Sequence, residues 1–261
     1  MRNLQRPDPY SSEKARRACA NRALLCLVIA LVSSACATPY DPFKIPDSEL
    51  RERVKTIALA PLSVNPLLVD RSYARSQIEP LATARLTAGG FQVVPSEEME
   101  KLWLSIATDV GELFDPVSGE VNDERYEAVE SAVYRDLHSI HGVDAVLYLG
   151  VKLVYVHIPK GQAGYCGRTD DLYWPERKIG FADRLAGHHV TLAGTLCLEA
   201  KLFDMEERNI YGIRGGLEVF ETYVWQTRYT RPVEERLHNL ERLNEVIEVV
   251  VGPLADAARG R

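Results

Sequence analysis

Apolar positions recur along this chain with two periods, and the changes between them mark out its elements. Val54–Leu62 (VKTIALAPL) is a continuous apolar run of strand length interrupted by Pro61, suited to a strand covered on both faces. From Arg71 to Ala88, Ile78, Leu81, Ala82 and Leu86 fall at helical spacing and Gly89-Gly90 supplies a stop signal. Pro80 either kinks that helix or sits in the first turn of a shorter one. Phe91–Pro95 reads as a short strand, and Ser96 with Glu97 and Glu98 opens a helix carrying Met99, Leu102, Trp103 and Ile106. After a turn-rich stretch, Gly111–Val121, a helix from Asn122 places Tyr126, Val129, Val133, Leu137 and Ile140 on one face.

Beyond His141-Gly142 the period falls to two. Val143–His157 is strongly strand-forming, with Val143 and the alternate positions to Tyr155 on one face. A long stretch, 159–187, then lacks any period; loops of that length in compact domains are often functional. Two strands follow, His189–Asp204 and Asn209–Trp225, joined by Met205–Arg208, a connection short enough for an antiparallel hairpin. Pro232–Leu254 closes the chain as an amphipathic helix with Val233, Leu237, Leu240, Leu243, Ile247, Val250 and Leu254 on its face. The alternating start implies parallel pairing and the hairpin antiparallel pairing. The expectation is one α/β domain over 54–258, a mixed parallel/antiparallel sheet with helices packed on it.

The N-terminus has a different character. Arg2, Arg6, Lys14, Arg16, Arg17 and Arg22 precede the uncharged run Ala23–Ala35, whose strongest part, Ala23–Val32, is half the length of a membrane-spanning helix. Ser33-Ser34-Ala35-Cys36-Ala37 follows and resembles the lipobox of bacterial lipoproteins, departing from it at Ser33, where that box has Leu. The resemblance implies a signal peptide over 1–35, acylation of Cys36, and, with Ala37 after it, sorting to the outer membrane. Residues 37–53, with three prolines and many charges, read as a tether. Removing 1–35 leaves 25 basic against 35 acidic residues, a net charge of −10 that argues against nucleic acid as a partner.

Besides Cys36 the mature chain holds only Cys166 and Cys197. In an oxidising compartment two such thiols are often paired; alternatively Cys197, in an apolar strand, is a small buried hydrophobe.

Several segments are similar to a group of envelope proteins: the amino-terminal domain of TolB, the curli-secretion lipoprotein CsgG and the lipoprotein activators of penicillin-binding proteins. The residues concerned are Thr56–Pro61, Leu86–Val94 (LTAGGFQVV), Gly142–Leu147 (GVDAVL) and Leu202–Tyr211 (LFDMEERNIY). The resemblance implies an anticodon-binding-like, TolB-N-like topology and a periplasmic binding or assembly role without enzymatic activity. The charge of 159–187 does not suit the membrane-inserting hairpins of the secretion channel, which alternate apolar residues outward.

Chemical motifs are sparse. There is no nucleophile elbow, His-Glu-x-x-His or phosphate-binding loop. His138 and His141 read as helix-end histidines, His188 and His189 point to opposite faces of a strand, and Asp115–Glu120 lacks the spacing of a calcium loop and reads as a turn. No metal and no cofactor is expected. Tyr165, Arg168, Tyr173, Trp174 and Arg177 have the composition of an interaction surface. The functional expectation is therefore a non-enzymatic, outer-membrane-anchored periplasmic lipoprotein that binds an envelope protein or cell-wall component. The alternatives are a hydrolase using Asp171, Glu176 and His189 beside 159–187, and a subunit of an oligomeric ring.

Overall fold

A computed structural model describes residues 40–158, 162–171, 190–224 and 227–260, with the backbone alone at 162, 171, 190, 191, 224 and 227. The chain divides into compact units Met1–Asp41 and Pro42–Arg261, and the second contains all the described helices and strands. In chain order these are α1 (Asp47–Arg53), β1 (Thr56–Leu59), β2 (Ser63–Val64), α2 (Arg71–Gly89), β3 (Gln92–Val94), α3 (Ser96–Val110), α4 (Asp123–His141), β4 (Ala145–His157), β5 (Gln162–Tyr165), β6 (Arg168–Asp171), β7 (Val190–Asp204), β8 (Asn209–Val224), β9 (Thr227–Thr230), α5 (Leu240–Val250) and α6 (Gly252–Arg259).

The main sheet runs β3-β1-β4-β7-β8-β9, with β2 beside β4. β1 is parallel to β3 and β4, whereas β4, β7, β8 and β9 are successively antiparallel, so this is a single α/β domain with a mixed sheet. Alternation in β1 serves both faces. Ile57 and Leu59 join Leu147, Leu149 and Leu198 beneath Ile78 and Leu86 of α2, Ile247 and Val250 of α5 and Leu254 of α6. Ala58 and Val146 face the other way, against Met99 of α3 and Val129, Val133 and Leu137 of α4. Asp144 ties the two parallel strands together, accepting from the amides of Lys55 (2.8 Å) and Thr56 (2.9 Å).

Three helices start where a side chain satisfies a first-turn amide, whereas α3 begins at Ser96 after Pro95 with no side-chain cap, the Ser96 hydroxyl donating instead to Glu79. Asp70 accepts from Tyr73 N, Asn122 from Arg125 N and Asn239 from Arg242 N. α2 runs unbroken through Pro80 and ends on Gly90 at φ +100°. The buried stripe of α4 is Val129, Val133, Tyr134 and Leu137; Ile140, on its last turn, is 62% exposed.

Two expected boundaries are wrong. Pro42–Arg53 belongs to the fold and is not tether. Gly212 N donates to Pro42 O, Lys44 N to Ile210 O, the Phe43 ring lies 5.0 Å from Tyr211, and Leu50 of α1 is fully buried. Scattered anchors of this kind have no period to read. The Pro232–Leu254 helix is also not continuous. Leu237 takes φ +62° so that its amide reaches Glu218 Oε1 (3.0 Å), and Arg236 lies buried over the Phe220 ring, donating to Arg231 O. The helix proper begins at Leu240, and Pro253 cannot donate to the preceding turn, so α5 stops and α6 starts anew.

The β7–β8 turn depends on Asp204, which accepts from the amides of Glu206 and Arg208 (3.0 Å each) and from the Arg208 guanidinium (2.7 and 2.9 Å). Burial alone would raise its carboxyl, but the Arg208 hydrogen bonds and the turn amides outweigh that and hold it below the usual carboxylate range. Asp204→Ala is expected to lower stability by about 1.5–3 kcal/mol in urea unfolding at pH 7. A folded pKa below the unfolded one means stability present above about pH 4 and lost as pH falls through the folded value. The difference between wild type and variant should therefore shrink on acidification; a difference independent of pH would contradict the assignment.

Candidate functional site

β1 leads through α2 to β3 on one side, and β3 returns through α3 and α4 to β4 on the other side of β1. Crevices form at such reversals because the helices diverge to opposite faces of the sheet. Here a cleft of about 390 Å³ opens on the α4 side, over β4 and β7. Its lining follows from strand alternation: Tyr148 and Lys152 of β4, Glu199, Lys201 and Phe203 of β7, with Tyr148 paired to Lys201 and Gly150 to Glu199. α4 contributes Glu130 and Tyr134, one helical turn apart, and the β7–β8 turn contributes Glu207.

The aromatic groups form a connected floor. Tyr134 donates to the Tyr148 hydroxyl at 3.1 Å, and Phe203 meets Tyr148 edge-on with ring centroids 5.6 Å apart. Burial pushes the Tyr148 phenol up to about 12, and burial with the Tyr148 hydrogen bond pushes Tyr134 further, so both stay neutral at physiological pH. The carboxylates differ. Glu199 is drawn down: burial opposes its charge, yet the Arg214 guanidinium at 2.6 and 2.8 Å and Lys201 at 3.4 Å overcome it. Glu130 is raised, first by burial and then by the neighbouring charges of Glu207 and Glu127. The cleft is thus mixed in charge, with Glu130 and Glu207 at the α4 end, Lys152, Lys201 and the Arg214-held Glu199 on the strand side, and neutral phenols between them.

The residues singled out from sequence lie elsewhere. β5 and β6 form a hairpin over the sheet, and Cys166, in its turn at φ +44°, is bonded to Cys197 of β7, which is fully buried. Tyr165 is 4% exposed and donates to Asp170, and burial followed by that bond raises its phenol; it is core, not partner surface. Arg168 is likewise engaged, with Asp170 at 2.9 Å and Glu245 of α5 at 2.8 Å, while Arg242 of α5 reaches Asp170 at 2.6 Å. The side chains fold inward because Gly216 of β8 leaves room: a Cβ there would lie 2.9 Å from the Tyr165 ring. Tyr173, Trp174, Arg177, Glu176, His188, His189, the side chain of Asp171 and Cys36 lie outside the described residues. His138 bonds Val143 O through Nδ1 at 2.8 Å, and Asp115–Glu120 is a turn closed on the Asp115 carboxylate. Among the described residues no three His, Cys, Asp or Glu side chains are grouped to hold a metal.

The cleft residues escaped sequence reading because they come from four distant segments and form no motif. Alternation along β4 and β7 marks their face, but nothing in the chain places Glu130 opposite it.

No family model and no curated protein matches the sequence. Among solved structures, PelC dodecamers from Paraburkholderia phytofirmans in two crystal forms are similar at 12% identity, covering 78% of this chain and 90% and 89% of theirs, with TM-scores of 0.35 and 0.33. A protein described as a neuraminyllactose-binding hemagglutinin homolog from Helicobacter pylori is similar at 10% identity over 84% of this chain and 88% of its own, with a TM-score of 0.30. Likenesses at these values decide neither topology nor activity.

Proposed function

We propose that the chain is an outer-membrane-anchored periplasmic lipoprotein, acylated on Cys36, whose domain has TolB-N-like topology and serves as a non-enzymatic binding and assembly module of an envelope or secretion complex. The observation that carries this reading is the Cys166–Cys197 bond inside the fold, a linkage that persists in oxidising compartments such as the periplasm. It accords with the order of basic, apolar and small residues leading to Cys36. The cleft suits recognition: its phenols are fixed neutral donors and Glu199 is a fixed anion held by Arg214.

Cys36→Ser is the test of anchorage. The expected result is loss of acylation and release of the processed chain from membranes, because several acyl chains are needed for stable attachment. A variant that is processed normally and stays with membranes after a high-salt wash contradicts the reading.

An envelope hydrolase is the second reading, favoured by one observation: the cleft holds a raised carboxyl, Glu130, and a depressed one, Glu199, the split that separates a general acid from a base. Hydrolysis of purified envelope material by wild type and not by Glu130→Gln would establish it.

A further inference from the structure

The α3–α4 connection is an ordered turn that holds apolar side chains out in solvent. Asp115 accepts from the amides of Val117 and Ser118 at 2.8 and 2.7 Å, Asp115 N donates to Glu120 O, and Gly119 N returns to Asp115 O with φ +72°. Arg125 reaches back to Glu112 O at 2.9 Å. The Asp115 carboxyl is held below its ordinary value by those amides, so the turn keeps its clasp across the physiological range. Yet this ordered turn displays Val117 at 95% exposure and Phe114 at 54%, with Val121 half exposed beside them. Apolar side chains held out on a fixed turn are already arranged for docking, and a partner loses little entropy in meeting them.

From this turn the chain enters α4, which runs to the cleft. Trp103 of α3 and Tyr126 of α4 lie 5.1 Å apart, and Tyr126, Glu130 and Tyr134 follow one another at four-residue spacing along α4 to the aromatic floor. The charge along this strip is one-sided. Residues 109–130 hold eight carboxylates and one cation, Arg125, which is engaged with Glu112 O. At the cleft end, Glu130 stands with Glu127 and Glu207, so the excess extends along α4 to that rim of the cleft, with Lys152 and Lys201 on the opposite, strand side.

We propose that this strip, from the Phe114–Val121 turn along α4 to Glu130, is the docking surface for a basic, apolar-interleaved segment of a partner protein. Its leucine-like side chains would pack on Phe114, Val117, Tyr126 and Trp103. A lysine or arginine would enter the cleft between Glu130 and Glu207, above the neutral faces of Tyr134 and Tyr148. Anionic lipid is repelled by the same charge. The proposal deepens the binding-module reading and rests on it.

The test uses the chain from Ala37 onward, which contains the compact unit, and fluorescence anisotropy with a short labelled peptide of lysine and leucine. Two matched peptides serve as controls, one with serine for leucine and one with glutamate for lysine. The lysine–leucine peptide is expected to bind at least about tenfold more tightly than either control and to weaken with added salt. Phe114→Ser with Val117→Ser, and separately Glu127→Lys with Glu130→Lys, should each weaken it about tenfold while the thermal melting point stays near wild type. Leu67→Ser, an exposed apolar position elsewhere, should leave it unchanged. Equal binding of the lysine–serine peptide would mean bulk charge alone and overturn the proposal. So would indifference to the tip variants, or self-association that the tip variants abolish, which would assign the surface to a second copy. Fractionation of wild type and Cys36→Ser separates the two readings: a membrane-bound wild type with no peptide binding overturns the surface alone, and a soluble wild type overturns the lipoprotein reading itself.

Discussion

Replacing Cys166 with Ser and Cys197 with Ala is expected to lower the unfolding free energy by about 3–4 kcal/mol, read by urea unfolding at pH 7. The two positions are 31 residues apart. Opening a loop of that size restores to the unfolded chain the freedom the bond removes. The loss should fall unevenly. Tyr165 against Gly216, and the Arg168–Glu245 and Arg242–Asp170 pairs, still hold the β5–β6 hairpin, but the two ion pairs are partly exposed and each contributes little alone. Amide exchange should therefore rise first in β5 and β6, while β1, β4 and their helices keep their protection. Wild type treated with reductant should behave like the double variant. A change below about 1 kcal/mol would mean that the hairpin is held by its packing and that the bond contributes little.

Gly89→Ala should cost about 3 kcal/mol, whereas Gly90→Ala, one residue on, should cost about 1 kcal/mol. Both glycines look alike in sequence as the stop of α2. The structure separates them. Gly90 has the positive φ of a helix cap and nothing within 4 Å of an added Cβ, so alanine there meets only backbone strain. Gly89 has an ordinary φ, but its Cβ would lie 2.6 Å from the Cα and 2.7 Å from the Cβ of Ala255. Alanine at that point drives α2 from α6, and α6 carries the buried Leu254 and Ala257 into the core. Neither helix can yield cheaply, since the contact is backbone to side chain rather than the tip of a flexible group. Unfolding of the two single variants side by side decides it: if Gly90→Ala is the more damaging, the close approach is not what limits this interface.

Much of the architecture was legible in the order of residues. The apolar periods of Arg71–Ala88, of the helix after Asn122 and of Val143–His157 locate α2, α4 and β4, because periodicity is a local property that burial of one face imposes. Gly90 and Gly142 end their helices in left-handed conformations, and Met205–Arg208 closes the long hairpin, for equally local reasons. The order of these elements was enough to expect a mixed sheet with helices against it.

What depends on contacts between distant segments was not legible. Val233–Leu254 keeps a helical period although Leu237 and Pro253 interrupt the helix, since Glu218 and the sheet compete for the backbone around Leu237. Pro42–Arg53 shows no period because it is held by isolated contacts, three with β8 and one, Leu50, with the core. Tyr165 and Arg168 have the composition of a surface, and only tertiary structure, through Gly216 and Glu245 of α5, buries the first and engages the second. The cleft is the clearest instance. Glu130, Tyr134, Tyr148 and Glu199 acquire their charge states from burial and from neighbours, Glu207 and Glu127 beside Glu130 and Arg214 and Lys201 beside Glu199, and that surrounding exists only once α4 lies over β4 and β7. A chain specifies its periods residue by residue, but the electrostatic character of a group is set by burial and by charges a few ångströms away, which tertiary structure alone brings together.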